Sequence, residues 1–119
     1  MAFKDHLEAI CSSVEGAILS SVMGYDGIAV ETTEQGAPGL DVPSLLVEYT
    51  ALLGQVRSAA TVLQSGSVEE LVLSTERLTV FSRPLTADYF LLVALAPGAN
   101  WGKARYLMRI TAPRLRSEL

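Results

Sequence analysis

Residues 41–66 read DVPSLLVEYTALLGQVRSAATVLQSG, and this stretch decides the fold. Asp41 and Pro43 are helix-start residues: an Asp side chain caps free backbone N–H groups, and Pro fits the first helical turn. Gly66 is a helix-stop residue. The spacing predicts one helix between them, the longest element of the chain. On a 3.6-residue wheel Leu45, Leu46, Tyr49, Leu52, Leu53, Val56, Ala60 and Leu63 fall on one side. They are large and are expected to face a sheet. The opposite side carries Val47, Ala51, Gly54, Ser58, Thr61 and Ser65, without a single charge. Charged and amide side chains are confined to the flanks, Glu48 and Gln55 on one, Arg57 and Gln64 on the other.

A surface helix ordinarily places charge opposite its core face. Gly54 also costs a helix interior about 1 kcal/mol relative to Ala. Small side chains let two backbones approach, and a close helix–helix contact would offset that cost. The plainer reading is a solvated face with few large side chains. Because no charge interrupts the row, we read it as a packing seam, and a twofold contact with a second copy suits a lone seam on a small domain.

Outward from this helix the pattern changes period. Upstream, Phe3, Leu7, Ile10, Cys11 and Val14 form an apolar helical stripe. Residues 16–23 (GAILSSVM) and 28–32 (IAVET) flank Gly24-Tyr25-Asp26-Gly27, a β-hairpin signature. Residues 34–43 (EQGAPGLDVP) read as a loop. Downstream, residues 68–75, 78–83 and 89–96 read as three strands. The last, YFLLVALA, does not alternate, so both its faces are expected to be buried at the sheet centre. Asn100 is an N-cap for a final helix from Trp101 to about Leu115, which Pro113 should kink or end near Ala112. The order is α-β-β-α-β-β-β-α: one α/β domain over residues 1–119, with an antiparallel sheet covered by helices on both faces.

Composition narrows the function. The chain has 119 residues, half of them hydrophobic, and a net charge of −4. That suits a packed core, and self-association would bury more of a small domain's surface. No Lys/Arg run marks a nucleic-acid or anionic-membrane partner. The N-terminal MAFKDHLEAICSS has no signal-peptide core, and residues 90–97 are too few to span a bilayer. Cys11 is the only cysteine, so no intramolecular disulfide can form and a cytoplasmic setting is expected.

Catalytic arrangements are not found. His6 and Cys11 are five residues apart on a helix and point to different faces, so they make neither a nucleophile–base pair nor a zinc site. Cys11 reads as a core residue. Gly98-Ala99-Asn100-Trp101-Gly102-Lys103 has one residue too few for a phosphate loop, and Ala104 stands where a metal-binding hydroxyl is needed. Glu69 and Glu70 are neighbours on a strand and point to opposite faces. No cofactor or metal is expected. Arg105, Arg109 and Arg116 share a face of the last helix, read here as a solvated ridge in preference to an acidic-partner contact.

Gly16-Ala17-Ile18-Leu19 followed by Asp26-Gly27-Ile28-Ala29-Val30 resembles the first hairpin of roadblock/dynein-light-chain proteins. The long helix, three strands and Asn100-Trp101-Gly102-Lys103 leading into a basic helix are similar to the bacterial, MglB-like branch. The resemblance covers nearly the whole chain and rests mostly on the order of elements. It implies a five-stranded antiparallel sheet with the middle helix on one face and both terminal helices on the other. It also implies a homodimer whose paired middle helices form a platform for a Ras-like small GTPase, acting on the GTPase's own catalytic residues. The platform maps to Val47, Thr50, Ala51, Gly54, Arg57, Ser58 and Thr61. The rival readings are a pure scaffold without effect on any GTPase and a small-molecule sensor, the latter disfavoured by strands so uniformly aliphatic.

Overall fold

In a computed structural model, described over residues 3–36 and 39–119, the elements follow the expected order. They are α1 (Phe3–Ser13), β1 (Ala17–Gly24), β2 (Ala29–Glu34), α2 (Val42–Leu63), β3 (Leu71–Ser74), β4 (Thr79–Pro84), β5 (Tyr89–Leu95) and α3 (Trp101–Arg116). The loop read over residues 34–43 includes Ala37 and Pro38, which lie outside the described residues.

The strands form one antiparallel sheet in the order β2-β1-β5-β4-β3. β5 is central, as its unbroken apolar run required. Its alternate residues feed two cores: Leu91, Val93 and Leu95 pack with α1 and α3, while Phe90, Leu92 and Ala94 pack under α2. The period-2 pleat explains how one apolar run serves both layers. The first hairpin turns through Gly24–Gly27, where Gly27 takes φ +89° and the Asp26 carboxylate accepts from the Ile28 amide at 3.0 Å. An L side chain would be strained at that φ.

The two layers are held to the sheet by buried polar bonds as well as apolar area. Ser20 donates to the Leu7 carbonyl at 2.8 Å, tying β1 to α1. Tyr49 reaches from α2 toward the β3–β4 edge of the sheet, donating to the Leu71 carbonyl at 2.8 Å with Ser82 Oγ 3.0 Å away. Burial pushes the Tyr49 hydroxyl up to about 12.

Four sequence expectations need correction. The second strand starts at Ala29 and runs to Glu34, later than residues 28–32, because Ile28 is taken into the turn. α2 ends at Leu63, before Gly66: Gln64 adopts the left-handed conformation (φ 54°), Gln64 N–H bonds Thr61 O, and Ser65 N–H bonds Ala60 O. These two bonds satisfy the last carbonyls and close the helix. The third strand spans only four residues, Leu71–Ser74, because it is a sheet edge paired to β4 alone over that length. Pro113 does not end α3 near Ala112; the helix continues to Arg116, one residue past the Leu115 expected. Pro113 is exposed while Thr111, Ala112 and Leu115 are buried, so packing of its neighbours outweighs one missing hydrogen bond on the solvent side.

Candidate interaction face on the middle helix

Asp41 starts α2 by accepting from the Ser44 N–H and hydroxyl at 3.2 and 2.7 Å. Those bonds hold the Asp41 carboxyl below its ordinary pKa. The inner side of α2 then buries Leu46, Tyr49 and Leu53 against the sheet. This orientation leaves Val47, Ala51, Ser58 and Thr61 exposed on the outer side, with Gly54 half-exposed among them. Apart from the adjoining backbone of its own helix, a Cβ built at Gly54 would meet no atom of the described residues within 4 Å. Within a single chain, therefore, nothing requires glycine there.

Two of the seven platform positions are placed differently. Thr50 is buried, and its hydroxyl donates to the Leu46 carbonyl at 2.6 Å. Arg57 lies along the flank, its guanidinium 3.7 Å from the Tyr25 ring centre and donating to the Ala87 carbonyl at 3.3 Å. The side chain thus clamps α2 to the β1–β2 turn and the β4–β5 turn. Burial raises the Tyr25 hydroxyl pKa, and the Arg57 charge partly opposes that rise.

The outer face extends further than its sequence pattern indicated. Val62 and Leu63 are 82% and 74% exposed, and Val47 at the other end is 57% exposed. The wheel puts Leu63 on the inner side, but no described part of the chain covers this last turn. Val62 could have been found from its spacing, four residues beyond Ser58. Val47 at one end and Val62 and Leu63 at the other thus leave exposed apolar groups flanking a row of small uncharged side chains.

Other candidate groups are absorbed by the fold. Cys11 is buried, its Sγ is 3.2 Å from Ser20 Oγ, and burial pushes its thiol pKa up. His6 Nε2 lies 3.1 Å from a Glu118 carboxylate oxygen. Arg105 and Glu70 form an ion pair at 2.8 Å. Among the described residues no group of three or more His, Cys, Asp or Glu could hold a metal ion, and no helix is long and apolar enough to cross a membrane.

The architecture and this face together define a roadblock-type α/β module. Over the full length of both chains it is 44% identical to MglC from Myxococcus xanthus, with a TM-score of 0.73. The fold also matches a roadblock/LC7 domain from Streptomyces avermitilis (15% identity, 99% of this chain and 98% of that one, TM-score 0.86). A further match is the gliding protein MglB from Thermus thermophilus (16% identity, 98% and 89%, TM-score 0.83). No protein-family model and no curated protein matches the chain. The chain belongs to the roadblock/LC7 family, in its bacterial MglB-like branch.

Proposed function

We propose that this chain is a non-catalytic, cytoplasmic regulatory adaptor that works as a homodimer and binds a Ras-like small GTPase. The observation that carries the reading is the outer face of α2, which is exposed, uncharged and lined by small residues between Val47 and Val62. Val47, Ala51, Gly54, Ser58 and Thr61 make the contact; Arg57 ties the helix to the turns beside it, and Thr50 is buried with its hydroxyl on the helix's own Leu46 carbonyl. An exposed face of this kind supports association with a second copy, and the paired helices then offer one continuous surface to a GTPase.

Arg57 is the only arginine of α2 and is stacked on Tyr25. The platform therefore offers no free guanidinium to a developing phosphate charge. Any effect on hydrolysis would work by positioning the GTPase's own residues, a weaker device than a donated arginine. The same observation supports the second reading, a scaffold that binds without altering hydrolysis.

The test combines three measurements on the purified chain and the Ras-like GTPases of its source organism. Light scattering is expected to give twice 12.7 kDa. Calorimetry is expected to detect binding to the GTP-loaded form, and single-turnover hydrolysis then separates regulator from scaffold. A monomeric mass together with no binding to any nucleotide state would refute the proposal.

A further inference from the structure

The face of the sheet opposite α2 carries a feature that the proposed role leaves unused. Five of the nine Lys and Arg residues lie in α3 (Lys103, Arg105, Arg109, Arg114, Arg116), and no Asp or Glu interrupts its sixteen residues. A sixth, Arg83, lies on neighbouring β4. Residues 77–119 hold seven basic and two acidic side chains, whereas residues 1–76 hold two and eleven, so the chain's positive charge is segregated in its last third.

Part of that charge is spoken for. Arg105 is paired with Glu70, and Arg116 donates to the Leu85 carbonyl at 2.6 Å. Arg83 and Arg109 have no hydrogen-bond or ion-pair partner among the described residues, and both line a groove of about 320 Å³ between α3 and β4, whose lining also holds the Arg105–Glu70 pair, so that three guanidinium groups face one carboxylate there. Phe81 and Met108, both buried, lie beneath it, and Tyr106 forms a wall while remaining 60% exposed. Trp101 stands beside it, edge-on to Phe81 at 5.5 Å. Two uncompensated guanidinium groups over an apolar floor match a particular ligand. An apolar side chain enters the groove while flanking carboxylates meet the arginines, and Arg–carboxylate pairing is the strongest such contact.

We propose that the α3–β4 groove docks an acidic segment of a protein partner, one carrying a large apolar residue among Asp and Glu. A concave site favours an inserted side chain over a flat lipid surface, and the net charge of −4 opposes a polyanion the length of a nucleic acid. The site is on the opposite side of the sheet from α2 and does not depend on the GTPase reading.

Trp101 is the only tryptophan and, edge-on to Phe81 in the groove, it reports on the site through that ring. The probe is a synthetic peptide with one Phe flanked by Asp and Glu, titrated while Trp101 fluorescence is read. The expected result is saturable binding that weakens with salt. Arg109→Glu should weaken it roughly tenfold or more, while Arg77→Glu, the same charge change at the β3–β4 turn, should weaken it less than about twofold. Circular dichroism should show both variants folded. Equal losses in the two variants would reduce the effect to net charge and overturn the proposal. So would failure of the peptide to bind better than one with Asn and Gln in place of its acids. Vesicles containing phosphatidylserine that bind more tightly than the peptide, with the same loss in Arg109→Glu, would assign the groove to membranes instead. Self-association of the wild type abolished by Arg109→Glu would assign it to a second copy.

Discussion

Gly54 gives a test in which two readings of the α2 face predict opposite signs. In a single chain an added Cβ meets no described residue within 4 Å beyond the adjoining helix backbone, so substitution there carries no clash and helix propensity decides. Gly54→Ala should then stabilise by about 1 kcal/mol, and Gly54→Arg by nearly as much. For a domain of this size 1 kcal/mol corresponds to a Tm rise of roughly 3–5 °C. If the face is packed on a second copy, the sign reverses. The alanine methyl enters a contact from both protomers, and overpacking costs about 1–3 kcal/mol. The arginine buries an unpaired charge, or forces the helices apart, at several kcal/mol of association. We expect the second pattern: Gly54→Arg monomeric at micromolar concentration, with a Tm that no longer depends on protein concentration. Sedimentation equilibrium gives the dimer Kd, and melting at two concentrations gives the stability. A Gly54→Arg protein with unchanged Kd and a raised Tm would refute the reasoning and leave the face solvated. An intact dimer that no longer binds GTPase would confine the face to partner binding.

Three further outcomes follow from the buried polar groups and the helix cap. Tyr49 has a folded-state pKa near 12 against an ordinary 10, so its contribution is complete below pH 10 and is lost as pH rises through 12. Tyr49→Phe should cost about 1–3 kcal/mol in urea unfolding at pH 7 and flatten the stability loss between pH 10 and 12; an unchanged pH profile would sink this assignment. Cys11 should react with a thiol reagent only as fast as the protein unfolds, since its thiol is buried and its pKa raised; rapid labelling of the native protein at pH 8 would contradict that. Asp41→Ala should lower Tm by removing the α2 cap. Because Ser44 holds the Asp41 carboxyl below its ordinary 3.8, that contribution is present above this value and disappears as pH falls, so the two proteins should converge in acid.

The sequence was most legible where one physical pattern ruled. The β5 run lacks alternation because it feeds two cores, and its central place followed from that alone. The hairpin turn followed from a glycine at a position that needs positive φ. Legibility failed where ends are set by tertiary contacts. Gly66 looked like the stop for α2, yet two backbone bonds around Gln64 close it earlier, a geometry that composition does not display. Leu63 fits the inner side of the wheel but has no described part of the chain beneath it, and only the extent of the sheet could have revealed that. Pro113 obeyed its local rule less than its buried neighbours did theirs. On the candidate face the wheel separated large from small side chains, but not Thr50, which lies between the two sides and is turned into the core.

The two proposed surfaces are divided by the sheet, and this arrangement has a consequence for how such a protein could work. α2 covers one side through Leu46, Tyr49 and Leu53, while α3 covers the other through Ala104, Met108 and Leu115. Between them lies β5, whose side chains alternate between the two cores and are fixed in both. A packed layer of this kind transmits little unless it can switch between two discrete arrangements. Occupancy of the α2 face should therefore leave the affinity of the α3–β4 groove unchanged, so a dimer could hold one partner on each side without competition. In a Gly54→Arg, Arg109→Glu double variant the losses should add, with a coupling free energy below about 0.5 kcal/mol. A larger coupling would show that the two faces report to each other, and that the domain is a switch and not a passive connector.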